Sequence, residues 1–128
     1  MIIGSSAKII LVVEDNKMIR YQVSRFLLNH GYDVRQAATG LEALAKATGA
    51  DLILMDIRMP DMDGLEATRR LKDNPRTAAI PIIFLTGLNE EEVMRQGLAL
   101  GAVGYVTKPA NLVLLIDEIR KHIEEPRG

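Results

Sequence analysis

The sequence predicts an α/β fold in which five parallel strands form one sheet with helices on both faces. Two observations carry this. Short runs of apolar residues, too short to be helices and mostly without the alternation of a half-exposed strand, recur along the chain and read as strands buried on both faces. Between successive runs lies a segment with helical spacing or helix-capping signals. A strand, a crossover helix and a parallel strand connect right-handedly and bury the helix on the sheet, so repeated alternation wraps the sheet on both sides.

The elements follow in order. Lys8 to Val13 is the first strand, and Glu14, Asp15 and Asn16 stand at its end. Residues 17 to 30 space Ile19, Val23, Phe26, Leu27 and His30 at helical intervals, and Gly31 closes that helix as a C-terminal cap. Asp33 to Ala37 is a shorter, more polar strand suited to a sheet edge. Thr39 with Glu42 makes a capping box that opens a helix over 40 to 48. Leu52, Ile53, Leu54 and Met55 form an unbroken apolar run that ends on Asp56, and a Pro- and Gly-containing loop then leads away through Arg58, Met59 and Pro60. The acid is expected at the rim of the sheet, rigidly held and accessible. Asp63 with Glu66 repeats the capping signature and opens a third helix that stops near Asn74 and Pro75. Ile82 to Leu85 is the fourth strand, followed by Thr86 and Gly87. Asn89 with Glu92 caps a helix reaching Leu100, and Gly101 ends it. Val103 to Thr107 is the last strand, followed by Lys108 and Pro109. The final helix runs from about Ala110 to Glu124, with Leu112, Leu115, Ile116, Ile119 and Ile123 on one face.

At 128 residues the chain is long enough for one sizeable core and too short for two ordinary domains. We expect one domain over residues 8–124, a leader at 1–7 and a tail at 125–128. The composition is 48% apolar and 26% charged with a net charge of −1, which fits a globular protein without a global pull toward nucleic acid or membrane. Neither is expected to be bound directly. The chain has no cysteine, which removes disulfides, cysteine nucleophiles and thiolate metal sites, and suits a cytoplasmic location. No apolar run approaches the roughly 20 residues that span a bilayer, and no basic signal-peptide segment precedes the first strand.

In a parallel sheet every strand points its C-terminal end toward one rim, and open sheets of this kind place their sites there. Glu14 and Asp15, Asp56, Thr86 and Lys108 all follow strands and therefore meet. Three carboxylates about 4 Å apart repel by roughly 4 kcal/mol per pair at an effective dielectric near 20, so a positive charge has to compensate. Oxygen ligands without His or Cys favour a hard divalent ion, and a small, hydrated site favours Mg2+. Lys108 adds a compact cation suited to a phosphoryl oxygen, and Thr86 a hydroxyl donor beside a glycine. An acid nucleophile, a metal, a lysine and a hydroxyl together describe phosphoryl transfer onto a carboxylate. Singly, each residue has an ordinary reading: Asp15 or Asn16 as a helix cap, Thr86 as a turn residue, Lys108 as a solvated charge, Tyr105 as a half-buried strand aromatic. His30 and His122 read as helix-end residues outside the site.

The chain resembles the CheY-like response regulator receiver domains of two-component signalling. The resemblance covers residues 8 to 124 and rests on Val13-Glu14-Asp15-Asn16, Met55-Asp56-Ile57-Arg58-Met59-Pro60, Met62-Asp63-Gly64, Leu85-Thr86-Gly87, and Gly104-Tyr105 with Lys108-Pro109. Each motif is weak, but their order and spacing together are highly specific. The resemblance implies a doubly wound, flavodoxin-like fold with strand order 2-1-3-4-5. It implies that Asp56 accepts a phosphoryl group from a histidine kinase or histidine phosphotransfer protein, and that the protein is no enzyme beyond this self-modification and its reversal. Glu14, Asp15 and Asp56 would hold Mg2+ with the backbone carbonyl of Arg58. Lys108 would pair with the phosphoryl group, Thr86 would be the switch hydroxyl, Tyr105 the aromatic that follows it, and the bond before Pro109 would be cis.

Three other readings stand beside this. A flavin protein of similar fold would want a Ser-, Thr- and Gly-rich phosphate cradle after the first strand, where Glu14 and Asp15 stand instead. An aspartyl-phosphate phosphatase would place a second acid two residues after its nucleophile, where Arg58 stands. A receiver-like binding module that takes no phosphate would not need the complete set of acids, Thr and Lys. On the last helix, Val113 shares a face with Asp117 and Arg120, and Leu114 with Glu118 and Lys121, so both apolar residues are expected to be exposed. With Tyr105 they mark the face expected to meet a downstream effector or a second copy.

Overall fold

A computed structural model of the chain describes residues 7–87, 91–107 and 112–123. Five strands, β1 (Ile9–Val13), β2 (Asp33–Ala37), β3 (Leu52–Asp56), β4 (Ile82–Thr86) and β5 (Gly104–Thr107), alternate with five helices, α1 (Lys17–Asn29), α2 (Gly40–Lys46), α3 (Gly64–Asp73), α4 (Glu91–Ala99) and α5 (Leu112–Arg120). All strand pairs are parallel, in the order β2-β1-β3-β4-β5. The sheet is the flavodoxin-like arrangement expected, with the polar strand β2 at an edge.

Alternate residues of the inner strands feed two cores. Leu11, Val13, Ile53, Met55 and Phe84 pack with Ala43 of α2 and with Ala67 and Leu71 of α3. Ile10, Val12, Leu52, Leu54, Ile83 and Leu85 pack with Val23 and Leu27 of α1 and with Leu115, Ile116 and Ile119 of α5. The unbroken apolar runs of β3 and β4 are therefore explained by burial on both sides, and every residue of both strands is buried. Each fully buried Leu or Ile contributes roughly 1.5–3 kcal/mol, so the central strands anchor the rim on which the site is built.

The helix ends agree with the sequence in outline and differ in detail. Gly31 and Gly101 adopt φ of 90° and 109°, the left-handed geometry of residues that terminate helices. His30 is a helix-end residue, as expected: it is the C-cap of α1, exposed, with its ring against Phe26 and Nδ1 3.0 Å from the Phe26 carbonyl. The two capping boxes whose cap residues are described are only partly made. Thr39 accepts from the Glu42 N–H, but the Glu42 carboxylate accepts from Ala38, one residue before the cap. Asp63 accepts from the Glu66 N–H at 2.8 Å, while the Glu66 carboxylate is taken by Arg69 and Arg70. A guanidinium one turn along the helix competes for that carboxylate with the backbone N–H. The cap residue Asn89 lies outside the described residues. After Arg120 the chain tightens into turns held by bonds from Lys121 to Glu118 and from His122 to Ile119, so α5 ends earlier than its apolar stripe suggests.

Candidate functional site

The rim formed by the C-terminal ends of β1 and β3 carries three acids. The Glu14 N–H continues the ladder by donating to the Ala37 carbonyl at 3.0 Å, so Glu14 is fixed by the sheet although it lies beyond β1. Asn16 is the N-cap of α1: its side chain accepts from the Ile19 N–H, and its own N–H donates to Glu14 Oε2, each at 3.0 Å. The ordinary reading of Asn16 as a cap is thus the correct one, and it leaves Asp15 to the site. Glu14, Asp15 and Asp56 each offer a carboxylate oxygen, and these oxygens all lie within 4.8 Å of one another. Together with Arg58 and Gly87 they line a cavity of about 360 Å³. The donors are all oxygens, and two of the three are buried, which suits a hard divalent cation such as Mg2+ and no soft metal.

Burial is where expectation and structure part. Asp56 was expected to be accessible, yet it is 3% exposed and Glu14 only 1%, while Asp15 is exposed. Asp56 is not past the end of its strand but its last paired residue, opposite Leu85 and flanked by buried Met55 and Ile57. Among the described residues, it is the cleft lined by Glu14, Asp15 and Arg58 that opens onto it. The Arg58 N–H makes a long bond of 3.4 Å to Asp56 Oδ1 as the chain turns away. Thr86 closes β4, buried, opposite Thr107 of β5, and its hydroxyl donates to the Gly87 carbonyl at 3.3 Å. Lys108, Pro109 and the bond between them lie outside the described residues, as does Leu88.

Tyr105 of β5 is 44% exposed, and Val113 and Leu114 of α5 are 66% and 56% exposed, as the helical spacing required. Tyr105 and Leu114 share a groove of about 550 Å³ with Asp117, Glu118 and Lys121. His122 lies 3.9 Å from Glu118, at the far end of α5.

The family model described as the response regulator receiver domain matches residues 10–120. The chain belongs to this family. Among curated relatives, this receiver domain is 40% identical to a probable cyclic di-GMP phosphodiesterase of Vibrio cholerae, over 93% of the present chain and 27% of the other. It is 38% identical to protein PilH of Pseudomonas aeruginosa, over 86% and 93% of the two chains. The chain therefore spans about a quarter of the first relative and nearly all of the second. Among solved structures it superposes on the chemotaxis protein CheY4 of Vibrio cholerae with a TM-score of 0.87 and 35% identity, covering 92% of this chain and all of that one. Among the described residues no helix is long and apolar enough to cross a membrane.

Two residues that the sequence did not single out position the receiver's loops. Asp61, in the loop after Asp56, accepts from the N–H groups of Gly40 and Leu41 at 2.8 and 2.9 Å and so caps α2 from across the fold. Those donors hold its carboxyl below the ordinary aspartate range. Arg20, on α1, donates to the Glu14 carbonyl at 2.7 Å and to Gln36 at 3.2 Å. Neither partner is adjacent in sequence. A carboxylate in a Pro- and Gly-containing loop and an arginine one turn after a cap are only weak signals.

Proposed function

We propose that this receiver domain accepts a phosphoryl group on Asp56 and relays that state to a partner through the face containing Tyr105. The observation that carries the reading is the meeting of Glu14, Asp15 and Asp56 within 4.8 Å at the end of the sheet, in a cleft one phosphoryl group could enter. Glu14, Asp15, Asp56 and the Arg58 carbonyl would hold Mg2+. When bound, the ion supplies the positive charge that lets an anionic phosphoryl group approach buried carboxylates.

The chain's own residues do the rest. Asp56 offers a carboxylate oxygen held rigidly by β3 for in-line attack on phosphorus. As the new P–O bond forms, the P–N bond of a phosphohistidine breaks, and its electron pair and a proton remain with the imidazole. Lys108, next after β5 in the chain, pairs with a phosphoryl oxygen. The Thr86 hydroxyl leaves the Gly87 carbonyl for another, and Tyr105 turns inward behind it. The donor is a histidine kinase or histidine phosphotransfer protein, the reader is a downstream effector or a second copy, and the domain at residues 8–124 works in the cytoplasm. Beyond loading Asp56 and losing the group again to water, the chain catalyses nothing.

The test is intact-mass spectrometry after exposure to acetyl phosphate, from which acetate leaves in place of imidazole. The parent is expected to gain one phosphoryl mass only when Mg2+ is present, and Asp56→Asn to gain none. Equal labelling of both proteins would sink the reading.

A further inference from the structure

The two consecutive acids of the site, Glu14 and Asp15, owe their placement to something outside it. Among the described residues Glu14 is held at three points: its N–H by the Ala37 carbonyl, its carboxylate by the Asn16 N–H, and its carbonyl by Arg20. The third hold differs in kind. Arg20 Nη1 reaches the Glu14 carbonyl at 2.7 Å and approaches the Asp15 carbonyl at 3.5 Å, so one guanidinium spans the backbone of both consecutive ligands. The same guanidinium is braced from the other side, since its Nε donates to Gln36 Oε1 on β2 at 3.2 Å. The Gln36 backbone carbonyl in turn accepts from Lys46 of α2 at 2.6 Å. Arg20 is half-buried and starts from α1, where its N–H completes the first turn onto the Asn16 carbonyl at 2.9 Å. A planar fork with fixed donor directions can hold two partners at a set angle, which a lysine ammonium on its flexible stem cannot do.

We propose that Arg20 is a positioning residue for the cation site, bridging β2 and the loop after β1 so that Glu14 and Asp15 present their carboxylates at the spacing a small divalent ion needs. The inference rests on the reading of the acids as a Mg2+ site. It assigns Arg20 no contact with the ion. The side chain acts through the carbonyls behind the ligands, as partners behind metal ligands commonly do, and loss of such a partner typically lowers metal affinity by roughly 10–100-fold. Mg2+ demands short, near-octahedral geometry, whereas Ca2+ accepts longer and looser coordination. A slackened loop should therefore lose Mg2+ more than Ca2+.

The experiment measures Mg2+ and Ca2+ affinities by calorimetry on the whole chain, well below the melting temperature of every variant. Mn2+ binding followed by water-proton relaxation serves as an independent readout. Arg20→Ala is expected to weaken Mg2+ by about 10-fold or more and to narrow the preference for Mg2+ over Ca2+. Gln36→Ala should do the same to a smaller extent, and Arg20→Lys should fall between Arg20→Ala and the parent. Arg25→Ala, which removes an arginine of the same helix that stands over Tyr21, is expected to bind as the parent does. Unchanged Mg2+ affinity in Arg20→Ala, or an equal loss for both ions, would overturn the proposal even if the melting temperature fell. If Arg20→Ala does not fold, Arg20→Lys and Gln36→Ala decide the matter by the same selectivity ratio. Should the parent itself show no Mg2+ binding that Asp15→Asn removes, the reading of the acids fails, which is a different outcome from a bound parent with an indifferent Arg20.

Discussion

Gly64→Ala should destabilise the protein and disturb the acid site in one step. Gly64 begins α3 and is buried against the end of β3, with its N–H bonded to the Ile57 carbonyl at 2.6 Å. A Cβ there would stand 2.4 Å from the Asp56 carbonyl oxygen, 3.0 Å from Ile57 Cα and 3.2 Å from the Asp56 carbonyl carbon. All three are backbone atoms of the strand end that carries Asp56, so no rotamer change can relieve the contact. Reaching ordinary van der Waals separation near 3.5 Å requires a shift of roughly 1 Å by α3 or by the strand end. Overpacking of this kind costs about 1–3 kcal/mol. Replacing glycine by alanine returns about 0.4–1 kcal/mol by restricting the unfolded chain. At the middle of both ranges the balance is a net loss of about 1.3 kcal/mol, or about 5 °C in melting temperature for a chain of this size. Gly40→Ala is the control. Its Cβ would meet Met62 Cγ at 2.3 Å, but that neighbour is a flexible, half-buried side chain that can swing away. Scanning calorimetry should therefore rank parent, Gly40→Ala and Gly64→Ala in falling order, and only Gly64→Ala should also bind Mg2+ more weakly. A Gly64→Ala protein as stable as the parent, or a Gly40→Ala protein equally damaged, refutes the reasoning.

The Asp61 carboxylate, held below its usual pKa by the Gly40 and Leu41 N–H groups, contributes stability that is full above the unfolded aspartate value near 3.9 and is lost as pH falls through the lower folded value. Melting curves from pH 6 down to pH 2 should show the parent losing its advantage over Asp61→Asn below pH 4, and parallel curves would refute the assignment. Mg2+ at 100 times its dissociation constant should stabilise the parent by about 2.7 kcal/mol at matched ionic strength, and Asp15→Asn should remove most of that gain in a thermal melt. Leu114→Lys and Tyr105→Ala are expected to weaken phosphodonor-dependent association in sedimentation while leaving Asp56 labelling intact; association unchanged in both would place the output on another surface. Arg58 and Leu88 offer no carboxylate or amide to orient an attacking water, so the phosphoryl group should be long-lived, and Leu88→Glu should shorten its lifetime in a mass-spectrometric time course.

The fold was legible because burial on both faces leaves a signature that side-chain chemistry alone can write. Ile53 and Leu54 point into opposite cores, so β3 could afford no polar residue until Asp56. The more polar Asp33 to Ala37 run has the composition of an edge, and β2 is one. The capping boxes were half legible for the opposite reason. Thr39 and Asp63 need only their own helix to make a cap bond, but where Glu42 and Glu66 turn depends on which competitor stands nearby. For Glu66 that competitor is a pair of arginines on the same helix, visible in sequence only if the ion pairs are weighed against the reciprocal cap.

The acids of the site were legible through topology, since parallel strands bring their ends together whatever lies between them. Their depth was not. Asp56 is the last paired residue of its strand, opposite Leu85, but Ile57 beyond β3 and Glu14 beyond β1 are just as buried, so the strand ends alone do not show how deep the acids lie. That depth matters for function. A carboxylate buried beside Glu14 is costly to keep charged without a cation, and that cost is the physical ground for the cation site proposed above. Arg20 and Asp61 escaped notice because each bonds to backbone atoms on a distant segment, and a backbone carbonyl or N–H has no residue type to betray it. The side chains that set a site's geometry are thus the ones whose partners the sequence spells least, and the two loops flanking the acids are each held by one of them.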